Sequence, residues 1–234
     1  MNNPAGPAKI TQPLPARFAH PPLFLSVNEA TKTWNILTAE ERSWFAGSVL
    51  DIGCGRDKIV PHAKGFDVGD GDANAIDECI GDRFDMVFSS HCLEHMNHPE
   101  DAIQRWWRLV ADGGRMIVIV PDEDLYEQGV YPSRFNDDHK ATFTVSKRRS
   151  WSSRSYNMLE LANRLPGARV LRCELQDQGY DRSRLTFGIQ RTARIDNPIR
   201  LFLKRVLFRM VALDQTRGDP GALAQVFLAV EKMP

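Results

Sequence analysis

The chain has 234 residues, 42% of them hydrophobic and 26% charged, enough for one domain with a full core and too few for two ordinary ones. Thirty basic and thirty acidic residues cancel, which removes the positive field of a dedicated nucleic-acid binder. Cys54, Cys79, Cys92 and Cys173 lack the paired short spacings of a zinc or disulfide framework, so a reducing, cytoplasmic setting is expected, and no run is apolar for long enough to span a bilayer.

From the amino terminus, six prolines (Pro4, Pro7, Pro13, Pro15, Pro21 and Pro22) make residues 1–37 an extended proline-rich arm rather than a signal peptide. A single domain is expected over 38–234. Thr38 and Glu41 have the spacing of a capping box, so a short helix begins there and Gly47 stops it. Residues 49–52 are a compact apolar run broken by Gly53 and Gly55, the pattern of a buried parallel strand ending in a tight turn.

Residues 84–88 and 115–120 repeat the strand character. Between them Pro99 opens a helix with Glu100 and Asp101 in its first turn, and Ile103, Trp106, Trp107 and Val110 share one face. Gly113-Gly114 reads as its end. Strand, helix, strand forces a parallel pair. A helix through Tyr156, Leu159, Ala162 and Leu165 follows, then strands near 169–175 and 224–230. The expected fold is an α/β, open, mostly parallel sheet with helices on both faces. Residues 122–154, long and irregular after the fifth strand, read as a lid over the substrate. A second insertion spans 178–220, with an amphipathic helix over 198–211 suited to core packing, a homodimer contact or the inner surface of a membrane.

Three segments carry a family resemblance. Val49-Leu50-Asp51-Ile52-Gly53-Cys54-Gly55 resembles the glycine motif of class I S-adenosylmethionine-dependent methyltransferases. Residues 84–95 (Phe-Asp-Met-Val-Phe-Ser-Ser-His-Cys-Leu-Glu-His) resemble the fourth-strand segment of their small-molecule branch, and residues 106–121 the helix, Gly-Gly turn and fifth strand that follow. The resemblance implies a Rossmann-like fold with S-adenosyl-L-methionine at the carboxyl ends of the strands. By position, Asp51 braces the methionine amino group or the loop, and Gly53, Cys54 and Gly55 cradle the methionine part. Asp67 accepts the ribose hydroxyls, Asp72 and Ala73 read adenine, and Ser89 and Ser90 lie beside the methyl group.

Two departures stand out: Asp57 replaces the usual third glycine, and residues 56–64 leave no room for a normal first helix. Residues 68–82 are likewise too short for a helix and a full third strand, so the sheet should be trimmed at that edge.

The whole chain, including residues 124–128 and 132–136, resembles methyltransferases associated with bacterial surface-glycan assembly, which implies a sugar or glycan hydroxyl as acceptor. Arg134, Lys140, Lys147, Arg148, Arg149 and Arg154 in the lid suit a phosphate-linked sugar, or else form a solvated surface. A hydroxyl acceptor calls for a general base; His139 is the only histidine in the lid, and His91, directly after the fourth strand, is its rival. Glu94 and His95 lie just past that strand, as structural groups or as substrate contacts. Asp122, Glu123 and Asp124 could hold Mg²⁺, but no fixed ligand spacing is present and metal-independent chemistry is expected. Nucleic acid is not expected as substrate, because the strand lacks the Asn/Asp-Pro-Pro-aromatic ending of amino-methylating enzymes. Other small molecules remain alternatives, as does a noncatalytic scaffold keeping the fold.

Overall fold

In the computed structural model, residues 29–185, 213–217 and 221–234 are described. The amphipathic helix expected at 198–211 and the prolines of the arm lie outside them. The arm's last part differs from expectation: α1 (Glu29–Ile36) is helical. Its Ala30 and Trp34 pack with Leu37 against the sheet. α2 (Ala39–Ser43) starts at Thr38 with both capping-box bonds, Glu41 N–H to Thr38 Oγ1 (3.1 Å) and Thr38 N–H to Glu41 Oε2 (2.7 Å).

The main sheet contains β1 (Val49–Ile52), β2 (Lys64–Phe66), β3 (Phe84–Ser90), β4 (Val110–Pro121), β7 (Ala168–Gln176) and β8 (Gln225–Lys232) in the order β2-β1-β3-β4-β8-β7. The first four are parallel and β8 runs antiparallel to both its neighbours. This is the Rossmann-like methyltransferase arrangement with β2 at the trimmed edge. Residues 68–82 supply only a 3-10 turn and α3 (Ile76–Cys79), and residues 53–63 form turns with no helix.

Alternation along β4 divides the core. Met116, Val118 and Val120 face α4 (Pro99–Arg108) and α5 (Met158–Asn163), whereas Ile117 and Ile119 face Phe45, Phe88 and Phe227. In α4, Trp106 and Trp107 are buried, and their indole N–H groups donate to the carbonyls of Ala73 and Pro166, both at 2.9 Å. Buried indoles need such partners. Removing either ring would forfeit about 3–5 kcal/mol of packing.

Gly113-Gly114 does not end α4. The helix stops at Arg108, β4 has already begun at Val110, and the glycines lie within the strand where its register with β3 shifts. A Cβ on Gly114 would sit 2.8–3.1 Å from the carbonyl oxygens of Ala111, Asp85 and Phe84, so the close approach of two backbones requires glycine there. The predicted helix through Tyr156 is also shorter: Tyr156 belongs to β6 (Ser155–Asn157), which pairs in parallel with β5 (Thr142–Thr144). The expected lid is thus partly ordered by its own two-stranded sheet.

Candidate active site

β1 ends in Gly53 and Gly55 at φ +75° and +55°, conformations that glycine adopts without steric cost. A Cβ on Gly53 would lie 2.6 Å from Cys92 Cβ. The turn opens a cleft of about 210 Å³ whose floor is Asp51, Gly53, Cys54 and Gly55, walled by Phe88 and Ser90 and rimmed by Ala30, Arg56 and Asp57. That is smaller than the ~300–1,000 Å³ of a complete small-molecule site; its size suits the amino-acid end of a cofactor, and half-buried Asp67 and exposed Asp72 are not among its lining residues.

The expected residues divide by what their side chains do. Asp51 is almost fully buried, and its Oδ2 accepts from Ile59 N–H at 2.7 Å, so it braces the loop. Burial pushes its carboxyl up to about 6 against that hydrogen bond, with Asp57 and Asp67 adding repulsion. A cationic ammonium in the cleft would restore its charge. Asp67 accepts from Gly55 N–H (2.5 Å) and Val68 N–H (2.6 Å), which ties the β2 turn to the glycine loop; each carboxylate oxygen keeps a second lone pair for a ribose hydroxyl. Asp72 caps the 3-10 turn Ala73–Ala75, accepting from Asn74 N–H at 2.9 Å, and these bonds hold its carboxyl below the usual range.

Ser90 lines the cleft with a buried, unpartnered hydroxyl. Ser89 does not: one residue earlier on β3 it points to the other face of the sheet, and it is fully buried. Cys54 lines the cleft with a thiol pushed up by burial. Positive-φ glycines, an ammonium-seeking carboxylate and an orphaned hydroxyl fit S-adenosylmethionine at its methionine end.

Sequence reasoning missed the contribution of α1. Thr31 Oγ1 donates to Asp57 Oδ2 (3.3 Å), so α1 closes one side of the cleft and the residue replacing the third glycine anchors it. Phe88 was legible only as strand core.

Beyond Ser90 lies a polar cluster. His91 adopts φ +55°, uncommon for a residue with a Cβ, and turns its ring inward. Its Nδ1 lies 3.5 Å from Glu94 Oε1 and its Nε2 3.3 Å from Gln225 Oε1. Gln225 Nε2 donates to Gln176 Oε1 (2.9 Å) and Gln176 Nε2 to Glu174 Oε1 (3.4 Å). A carboxylate can only accept, so the chain has one direction and presents Gln225 Oε1 to His91 Nε2 as an acceptor. Neither glutamine was visible as a site residue, since both sit in strands that read as core.

His139 is buried within residues 122–154. Its Nδ1 is 2.6 Å from Glu127 Oε1, its Nε2 is 3.9 Å from Glu94 Oε1, and Tyr126 lies against its ring at 5.5 Å. The one histidine of residues 122–154 is therefore buried and engaged by Glu127. Burial pushes the Glu94 carboxyl up, but His91, His139 and His95 outweigh it and hold the group below its ordinary value.

The acids after β4 serve the lid. Asp122 Oδ1 accepts from the Asp124 and Leu125 amides. Fully buried Glu123 receives Lys147 Nζ (3.0 Å), Ser150 Oγ (2.7 Å) and Ser155 Oγ (2.5 Å), and Asp124 pairs with Lys147 and Trp151. Lys147 is thereby neutralised, Trp151 is held by Asp124, and Tyr156 packs against Phe143 at 5.9 Å.

A mostly parallel sheet with this strand order, an antiparallel β8 and a glycine cleft at the end of its first strand define the class: S-adenosylmethionine-dependent methyltransferases. Residues 16–181 match the model of a family described as a methyltransferase domain, and the chain belongs to that family. Similar solved structures include coclaurine N-methyltransferase bound to N-methylheliamine and S-adenosylhomocysteine (10% identity, TM-score 0.50, 87% of this chain and 70% of that one). Another is a methyltransferase from Archaeoglobus fulgidus (12%, 0.49, 87% and 95%). No curated protein matches the chain significantly.

Proposed function

We propose that the chain transfers a methyl group to a hydroxyl of a small molecule, a sugar or glycan precursor carrying phosphate. The observation that carries this reading is the imidazole and carboxylate cluster adjoining the cleft wall at the end of β3. An alcohol must give up its proton to act as a nucleophile, and a positioned base serves it. When bound, S-adenosylmethionine supplies a sulfonium methyl whose carbon–sulfur bond breaks, the electrons going to sulfur, as the acceptor oxygen takes the carbon.

His91, next to cleft-lining Ser90, takes the hydroxyl proton in this reading, in place of His139. Gln225 Oε1 faces Nε2 at 3.3 Å and Glu94 faces Nδ1 at 3.5 Å, so acceptors on both ring nitrogens stabilise the imidazolium that forms. Exposed Arg148 and Arg149 at the lid support an acidic acceptor.

The test is transfer of labelled methyl to a panel of nucleotide sugars, lipid-linked glycans and amines. Sugars should be labelled, and His91→Ala should lower kcat by about 10²–10⁴-fold with cofactor affinity unchanged. Labelled amines with unlabelled sugars would reassign the acceptor, and no calorimetric binding of cofactor would leave a noncatalytic scaffold.

A further inference from the structure

Glu94 and His95, consecutive residues of the turn after β3, meet His139 from residues 122–154, and each brings one ligand atom within 4.8 Å of the other two. Glu94 is 1% exposed, and among the described residues its carboxylate oxygens make no close hydrogen bond; the imidazoles of His91 (3.5 Å) and His139 (3.9 Å) face Oε1. A buried carboxylate so weakly served is costly, and a cation is one of the few groups that satisfies it.

The histidines are prepared for the same task. His139 places Nδ1 2.6 Å from Glu127 Oε1, and His95 places Nδ1 2.9 Å from Asp138 Oδ2. A carboxylate on one ring nitrogen fixes the tautomer and orients the other nitrogen toward a metal. In both rings this leaves Nε2 to ligate. The rings stand edge to face with centroids 5.0 Å apart. The backbone supports the set, because Lys140 and Ala141 N–H donate to the Glu94 carbonyl (2.8 and 3.2 Å) and hold the lid against the end of β3.

We propose that Glu94, His95 and His139 form a binding site for one divalent first-row transition ion, such as Zn²⁺, Mn²⁺ or Fe²⁺. Two imidazoles and one carboxylate match that class; Mg²⁺ and Ca²⁺ favour all-oxygen sets. Ligands about 2.1 Å from a tetrahedral centre lie about 3.4 Å apart, so closure from the present spacing needs side-chain movements of roughly 1 Å. Three protein ligands leave positions open, as catalytic sites do. An acceptor oxygen taking one of them would deepen the reading given above; that role rests on methyl transfer, whereas binding of the ion does not.

The experiment uses the full chain, stripped with chelator and titrated with Co²⁺ and Zn²⁺ in the absence of cofactor. One ion per chain is expected, with the visible absorption of four- or five-coordinate Co²⁺. Glu94→Gln and His139→Ala should each abolish it, Glu127→Gln should weaken affinity about 10–100-fold, and His98→Ala, at an exposed position, should change nothing. On the unaltered chain, Zn²⁺ should shift the imidazole resonances of His95 and His139 and leave those of His62 and His98 in place, which covers variants that fail to fold. Binding that survives Glu94→Gln, or Zn²⁺ that leaves both resonances unmoved, overturns the site. Cofactor binding measured on metal-free chain tests the methyltransferase reading separately.

Discussion

Replacing Asp51 with Asn should stabilise the cofactor-free protein, and by an amount that depends on pH. The carboxyl is 2% exposed and titrates near 6 instead of 3.8. Between those values the folded state holds a proton that the unfolded chain has released, so stability falls as pH rises through the window. Once the group is ionised the loss is complete, and at about 1.36 kcal/mol per pH unit it comes to about 3 kcal/mol. Asn keeps an oxygen to accept from Ile59 N–H and carries no charge. Urea unfolding of both proteins from pH 4 to 8 should give a difference near zero at pH 4, growing to as much as about 3 kcal/mol above pH 6. Asp122 is also raised to about 6 by burial, but it is present in both proteins and cancels. Cofactor affinity should move the other way, since an amide cannot pair with an ammonium. A stability difference that stays constant from pH 4 to 8 would refute the reasoning.

Gly53→Ala and Gly113→Ala both force alanine into a positive φ, a cost of about 1–2 kcal/mol. Only at Gly53 does the new Cβ also strike Cys92, while that of Gly113 meets nothing within 4 Å. Unfolding curves should show Gly53→Ala to be worse by a further ~1–3 kcal/mol, and equal losses would mean that the Cys92 contact is slack. Glu123→Gln removes the charge that gathers Lys147, Ser150 and Ser155. Limited trypsin digestion should then cut at Arg148 or Arg149 much faster than in the parent chain, and an unchanged rate would show that β5 and β6 hold the lid unaided.

The sheet was legible because its strands are buried on both faces, and such strands read as continuous apolar runs punctuated by glycine. The glycine cleft was legible for the same reason: Gly53 and Gly55 are needed by local backbone geometry. The helix end at Gly113-Gly114 was misplaced because a glycine pair signals a turn in sequence, whereas here a register shift opposite β3 demands it. His139 could be named, but not its burial, because its environment comes from Glu127, Tyr126 and Glu94, brought together only by the folding of the lid. Gln176 and Gln225 were invisible, since one polar residue at the end of an apolar strand has no pattern, and their hydrogen bonds join positions far apart, Gln225 to Gln176 over 49 residues and to His91 over 134.

The place of β8 has a consequence for synthesis. Its residues 225–232 insert between β4 and β7, both made earlier. Until they leave the ribosome, β4 displays an unpaired edge along residues 115–121, the kind of surface that recruits other strands. β7 waits beside it without a neighbour in the sheet. The nascent chain therefore carries β4 half paired until residues 225–232 emerge, and removing those residues would leave that edge open in the finished protein.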